Sequence, residues 1–280
     1  MMRLLQILAV VLLAVLPATA AGQERPAAVA VTVDVGRLHS LDTYLSPLRY
    51  SGMHLRVGFE RLRATRFNPE AWVNQVSAGV TYDHPSNPAG NNSLHTLIAD
   101  LGWSMMWRKP LPVDGLTVYA GGALGFDGGV TYNPRNSNNV CSPVINLQAG
   151  ATGMLAYRTS LGRLPLTLRW QATVPVVGGF FLPDYDQSFY EIYLGNYGPA
   201  VNFGWWGNRF DMENLLTADF HFGASSLRLG YRNEFTTLFE NNISVRRCVH
   251  SLVVGVSWES VRVNLRRADR ERAGSISALY

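Results

Sequence analysis

The chain has 280 residues, 47% hydrophobic and 16% charged, with 24 Lys and Arg against 20 Asp and Glu. So small and dispersed a positive charge argues against a nucleic-acid surface, and after the first 20 residues no run reaches the roughly 18 apolar residues of a membrane helix. A membrane β-barrel passes the second test, because its apolar residues occupy only every second position.

In chain order, residues 1–20 read as a secretory signal peptide: Arg3 is the positive start, Leu4 to Leu16 the apolar centre, and Ala18-Thr19-Ala20 a small-residue cleavage site. Residues 27–267 then carry period-two alternation, and 268–280 read as a C-terminal tail. The alternation predicts strands at about 29–38, 51–66, 71–84, 93–108, 115–131, 144–159, 163–176, 210–222, 225–238 and 246–259. The clearest runs from Leu164 to Val176. Leu164, Leu166, Leu168, Trp170, Ala172, Val174 and Val176 share one face, opposite Pro165, Thr167, Arg169, Gln171, Thr173 and Pro175. Seven apolar positions in phase exceed an average soluble strand of about 5–6 residues.

Asn68-Pro69-Glu70, Pro110 to Asp114, Ser160-Leu161-Gly162 and Gly223-Ala224 read as short turns. Longer loops are expected at about 39–50, 85–92, 132–143, 177–209 and 239–245, so that short and long connections alternate throughout. Both termini then fall on the short-turn, periplasmic side. Trp72, Trp107, Tyr157, Phe222 and Trp258 take the outward phase at that end, as an aromatic girdle would. Arg61, Arg63, Arg108, Lys109, Arg158 and Arg163 cluster there too. The predicted fold is therefore all-β, an antiparallel up-and-down transmembrane β-barrel of about ten strands, with eight or twelve as alternatives.

The inward phase carries Arg56, Glu60, Asp100, Arg169, Gln171, Asp219, His221, Arg228 and Arg232. Mixed signs in a lumen only slightly wider than an eight-stranded one predict a satisfied polar network and a largely plugged interior. An ion path is the competing reading. The two cysteines, Cys141 and Cys248, both map to the outer rim, where either a disulfide or two separate thiols fits an exported protein.

Segment 177–209 holds ten of the 31 aromatics, far beyond an even share. Asp186 is expected to cap a short helix running to Leu194 and closed by Gly195. Phe189, Tyr190, Tyr193, Trp205 and Trp206 are the candidate ligand-binding residues, suited to stacking on sugar rings or to holding an apolar partner. Folding over the barrel mouth is the structural alternative. His39, His54, His84, His95 and His250 map to the outer ends of strands. His39-Ser40 and His250-Ser251 put a histidine beside a serine, but the strand phase brings no Ser-His-acid set together. No metal-ligand spacing, phosphate loop or cofactor motif stands out.

The run Asp42-Thr43-Tyr44-Leu45-Ser46-Pro47-Leu48-Arg49-Tyr50-Ser51-Gly52 resembles the first outer loop and strand entry of an uncharacterised family of small outer-membrane β-barrel proteins of Bacteroidetes-type bacteria. Tyr44-Leu45-Ser46-Pro47 and Tyr50-x-Gly52 carry the likeness. The resemblance implies a signal followed by a barrel and nothing else, and it supplies no catalytic residues. On physical grounds Pro47 and Gly52 set a sharp turn, and Tyr44 and Tyr50 are expected at the outer interface.

The functional expectation is an integral outer-membrane barrel, exported by its signal and monomeric. It would be structural or would bind a glycan, lipid or protein through loop 177–209, with outer-membrane lipid around it and no cofactor, metal or nucleic acid. The alternatives are a narrow small-solute channel, an outer-membrane lipid-modifying enzyme, and a soluble exported β-sandwich.

Overall fold

The computed structural model describes residues 25–260 except 138 and 224, together with 278–279. The signal and residues 261–267 of the expected barrel lie outside the described residues. The alternating segments become β1 (Ala27–Asp42), β2 (Ser46–Ala64), β3 (Trp72–Ser86), β4 (His95–Pro110), β5 (Leu116–Tyr132), β6 (Cys141–Leu161) and β7 (Leu164–Phe181). A one-turn helix α1 (Phe189–Tyr193) precedes β8 (Val201–Trp205), β9 (Arg209–Phe222), β10 (Ser225–Glu240) and β11 (Ile243–Ser260). Each strand pairs antiparallel with its neighbours, and β1 pairs with β11 from Ala27↔Ser260 to Asp42↔Val245, which closes the sheet. β8 and β9 lie end to end along the same edge of β7, Val177 facing Trp205 and Thr173 facing Glu213. They are the two halves of one interrupted strand, so the wall is a closed barrel of ten strands.

Its two faces are inverted relative to a soluble protein. The outward rows are exposed and apolar: Val31, Val33 and Val35 on β1, Leu97, Leu101 and Trp103 on β4, and Leu252, Val254 and Val256 on β11. The inward rows bury Asp34, Arg56, Arg169, Asp219, Arg228 and Arg232. Water would not tolerate so continuous an apolar surface, whereas hydrocarbon requires it. The closed ladder also leaves no strand edge to satisfy in lipid.

The expectation of five long outer connections needs correction. β1 and β2 join through only 43–45 and β10 and β11 through Asn241-Asn242, both in the left-handed region at φ 52° and 57°. The strands continue past the apolar band as hydrated ribbons, so residues expected in loops 39–50 and 239–245 pair instead. β6 and β11 stand four strands apart, and Cys141 and Cys248 are free thiols, which removes the disulfide alternative.

Apolar clusters occupy both ends of the lumen. At the short-turn end, Leu62, Val73, Met106, Tyr119 and Met154 pack with Ala278 and Leu279. The Ala278 carbonyl accepts from Tyr119 Oη at 3.1 Å and Arg108 Nη1 at 3.2 Å. Ala278 and Leu279 are therefore inside the barrel mouth, not in periplasmic solvent. At the outer end Tyr44, Leu45, Phe180, Leu182, Leu238 and Ile243 cluster.

Candidate functional site: the lumen and the outer aromatic loop

Between the apolar ends, the inward rows of opposite walls meet. Glu60 on β2 pairs with Arg169 on β7, five strands away around the barrel, and with Arg228 on β10 at 2.7 Å. Arg228 also holds Asp219 at 2.7 Å. Arg56 reaches Asp100 at 2.6 Å, and Arg232 reaches Asp34 at 2.7 Å and also pairs with Glu213. Gln171 Nε2 donates to Gln75 Oε1 at 2.8 Å, and Ser104 Oγ donates to the same oxygen at 3.0 Å. His221 lies 2.8 Å from Thr167 Oγ1 and 2.6 Å from Ser226 Oγ. Burying these charges singly would cost several kcal/mol each, so their mutual pairing is a condition of the fold.

All nine inward polar residues read from the alternation thus face the lumen. Missing from that set were Asp34, Asp83, Arg209, Asp211, Glu213, Glu234 and Arg247, which complete the outer half of the network. Arg247 bridges Asp83 at 3.0 Å and Glu234 at 2.5 Å. Asp34 lies in phase between Val33 and Val35 and was legible from the alternation; the others sit where their strands outrun the lipid band, and without an apolar row alongside there was no alternation to assign their phase. Above the Glu60 layer lies a cavity of about 390 Å³ lined by Arg56, Asp100, Asp127, Arg209, Glu213 and Arg232 among others.

The segment 43–45 folds inward over that cavity. Asn133 and Asn136 donate to the Leu45 carbonyl at 3.3 and 3.0 Å, and Tyr50 Oη accepts from Asn92 at 3.0 Å. Tyr44 and Tyr50 are consequently buried, not interfacial as expected. Asp42, at the foot of this turn and seven residues beyond the last residue of the β1 lipid row's Val31-Val33-Val35 run, accepts the Tyr44 amide at 3.0 Å. Burial pushes its carboxyl up to about 6, and burial with the nearby Asp42 charge pushes Tyr44 up to about 12.

The aromatic segment is divided in two. α1 is capped by Ser188 rather than Asp186, in a reciprocal Ser188–Glu191 capping box, and Gly195 follows it at φ 97°. Tyr190 and Tyr193 on this helix are exposed, Tyr193 at 76%. Phe189 opens the helix. Trp205 ends β8, and Trp206 donates from Nε1 to the Pro175 carbonyl at 2.7 Å; both indoles are exposed. Trp205 and Trp206 therefore flank the barrel wall, while α1 belongs to the excursion closed by the Leu182–Ala200 backbone bond of 2.7 Å.

His54 and Asp83 are direct cross-strand partners, 2.6 Å apart, a buried pair the sequence reading did not single out; Ser251 lies in the same row two strands from His54, with no hydrogen bond between them. The other outer histidines do point outward: the rings of His84 and His95 pack at 4.5 Å, tilted by 37°, beside Tyr82, and His250 lies beside Tyr231.

Closed ladder, apolar exterior and charged interior define a transmembrane β-barrel of the outer-membrane type. The chain belongs to the family described as "Protein of unknown function (DUF3316)", whose model matches residues 4–267. Among solved structures it is similar to the β-domain of the Bordetella autotransporter BrkA (11% identity, 84% of this chain and 99% of that one, TM-score 0.40). It is also similar to Neisserial surface protein A, NspA (12%, 83% and 99%, TM-score 0.33), and to the Pseudomonas putida toluene transporter TodX (8%, 86% and 91%, TM-score 0.27). A comparison with curated proteins found no match.

Proposed function

We propose that this is a monomeric outer-membrane barrel, delivered by its signal peptide, that does not conduct. It presents the aromatic outer segment 177–209 as a binding surface for the glycans or lipids of the cell envelope. The observation that carries the closed lumen is the Glu60–Arg169 pair, which ties opposite walls together below the cavity. Apolar clusters at both ends support the same reading. The exposed rings of Tyr190, Tyr193, Trp205 and Trp206 support binding, since flat amphipathic rings stack on sugars at little entropic cost. The likeness of the first outer turn to barrels of Bacteroidetes-type bacteria extends the proposal to origin.

The test is reconstitution into lipid followed by bilayer recording and a glycan and lipid screen. The comparison protein has residues 183–199 replaced by a short turn, which leaves the Leu182–Ala200 stem in place. Absence of steady conductance, with binding lost in the loopless protein, is expected. A stable unitary conductance would instead favour the narrow channel, for which the cavity of about 390 Å³ is the supporting observation.

A further inference from the structure

Two sets of arginines stand on the strands above the short-turn end, and they differ in what answers them. Arg56, Arg169, Arg209, Arg228, Arg232 and Arg247 face the lumen, and each is ion-paired there. Arg37, Arg49 and Arg246 are exposed on the exterior of the wall, and their side chains make no hydrogen bond or ion pair among the described residues. Their outward phase follows from their neighbours. Arg37 continues the Val31-Val33-Val35 row of β1. Arg49 keeps step with the exposed Met53 and Leu55 of β2, beside the buried Tyr50. Arg246 stands between Val245, which packs on the outer lumenal cluster, and Arg247, which pairs with Asp83 inside.

Strand register groups the three on β2, β1 and β11. Arg37 faces Met53 on one side and His250 on the other. One outward row further from the membrane, the exposed His39 faces Ser51 and Cys248, and one row beyond that Leu41 faces Arg246. Arg49 lies two residues past Ser51 on the β2 side. Two strand spacings of about 4.8 Å each separate Arg49 from Arg246, and side chains of that length converge on one group between them. The guanidiniums thus bound a shallow hollow, with Arg37 below and Arg49 and Arg246 above. The row between carries the short side chains of Ser51 and Cys248 on either side of the His39 ring.

No carboxylate among the described residues answers this charge. Of the acids on the outer halves of β1, β2, β11 and their neighbours β3 and β10, Asp34, Asp83 and Glu234 are engaged in the lumen. Asp42 accepts the Tyr44 amide beneath its turn, and Glu240 accepts from Asn208. The counter-ions must therefore come from outside, and height decides which. Trp258, in the short-turn girdle, is eight residues from His250 and twelve from Arg246 on β11. At about 3.3 Å per residue and a tilt of about 40°, those spans rise about 20 and 30 Å. An outer-membrane barrel's apolar band is about 25 Å tall, so the basic residues bracket its outer boundary. The row of Arg37 and Met53 runs on through His84, His95 and Tyr132, an aromatic line suited to that interface.

We propose that the exterior face of β2, β1 and β11 binds lipopolysaccharide, the phosphorylated glycolipid of the outer leaflet, by its sugar phosphates. Arg49 and Arg246 take one phosphate through charge-assisted, bidentate hydrogen bonds. Arg37 meets a second phosphate nearer the hydrocarbon, and His39 lies against the sugar between them. Acyl chains of the same molecule run down the exposed Val35, Leu55 and Leu252 beneath. A guanidinium suits this position because it keeps its charge at any physiological pH while its aliphatic stem lies along apolar surface. The site is separate from segment 177–209, which leaves the wall between β7 and β9. Neither reading depends on the other.

The test titrates the folded full-length protein in detergent with bisphosphorylated lipid A and reads bound glycolipid by native mass spectrometry. Saturable binding is expected, weakened at least about 10-fold in the Arg37→Gln/Arg49→Gln/Arg246→Gln variant. These side chains are exposed and unpartnered, so the variant should keep its heat-modifiable fold. Lys109→Gln/Arg158→Gln/Arg163→Gln removes the same charge from exposed positions at the short-turn end and should bind like wild type. The protein with residues 183–199 replaced should also bind like wild type. Undiminished affinity in the outer variant, an equal loss in the short-turn variant, or equal competition by phosphatidylglycerol would each overturn the proposal. Loss confined to the loopless protein would do so too, by moving the glycolipid to segment 177–209.

Discussion

Glu60 is the residue on which the middle of the lumen depends, because its carboxylate answers both Arg169 and Arg228. Glu60→Gln keeps the shape but leaves two buried guanidiniums short of charge. Removing one member of a buried ion pair costs about 3–5 kcal/mol, so the urea midpoint of the variant in lipid should fall accordingly. Asp42 works in the opposite sense. Its folded carboxyl is raised to about 6 from 3.8, so the folded chain binds the proton more tightly than the unfolded one. The stabilisation from that proton is complete below about pH 4 and is lost as pH rises through 6. Asp42→Asn should therefore match wild type in urea resistance at pH 4 and exceed it at pH 7.5. A variant equally resistant, or less so, at pH 7.5 would contradict the burial argument.

At the scale of elements, the tight β10–β11 turn decides how far the wall rises above the lipid. Asn241 and Asn242 both sit at positive φ, and Asn241 Nδ2 donates to the Leu182 carbonyl at 3.0 Å, tying the turn to the root of the aromatic excursion. A left-handed conformation costs most residues about 1–2 kcal/mol, and Asn and Gly pay least. Asn242→Gly should leave stability unchanged or slightly higher, whereas Asn242→Val should lose about 1–2 kcal/mol in equilibrium unfolding. The turn's brevity was not legible, since Glu240, Asn241 and Asn242 read as polar loop without the partner strand in view. The membrane-spanning parts of the strands were legible, because hydrocarbon outside and paired charges inside enforce strict alternation. Their outer extensions were not, since hydrated wall imposes no such rule. The short helix announced itself by composition, but Ser188 rather than Asp186 caps it, because the Glu191 side chain returns the hydrogen bond at 2.8 Å only from that position.

For the whole molecule, the decisive question is which solvent touches the exterior. Val254 is 52% exposed in the middle of the β11 lipid row. In water Val254→Arg would be nearly neutral. At mid-bilayer an arginine on a barrel's outer face costs about 2–4 kcal/mol. The folded, heat-modifiable fraction in vesicles should drop by that amount for Val254→Arg, and a soluble sandwich would show no such loss.

Ten wall strands, their outward and inward rows, and the charged residues of the central lumen all follow from the order of side chains, because a strand's period of two maps sequence directly onto face. Hairpin registers such as His54 with Asp83 are fixed by equal counting from the intervening turn, so that pair was within reach of the sequence once the turn was placed. The pairing of β1 with β11 is different. It joins the two ends of the sheet, and no turn sets its register. Only the closed barrel brings Ser251 to Gly36, folds Tyr44 and Leu45 into the outer mouth and seats Leu279 in the opposite one. Those contacts depend on curvature and shear, which belong to the assembled wall and to no single segment of it.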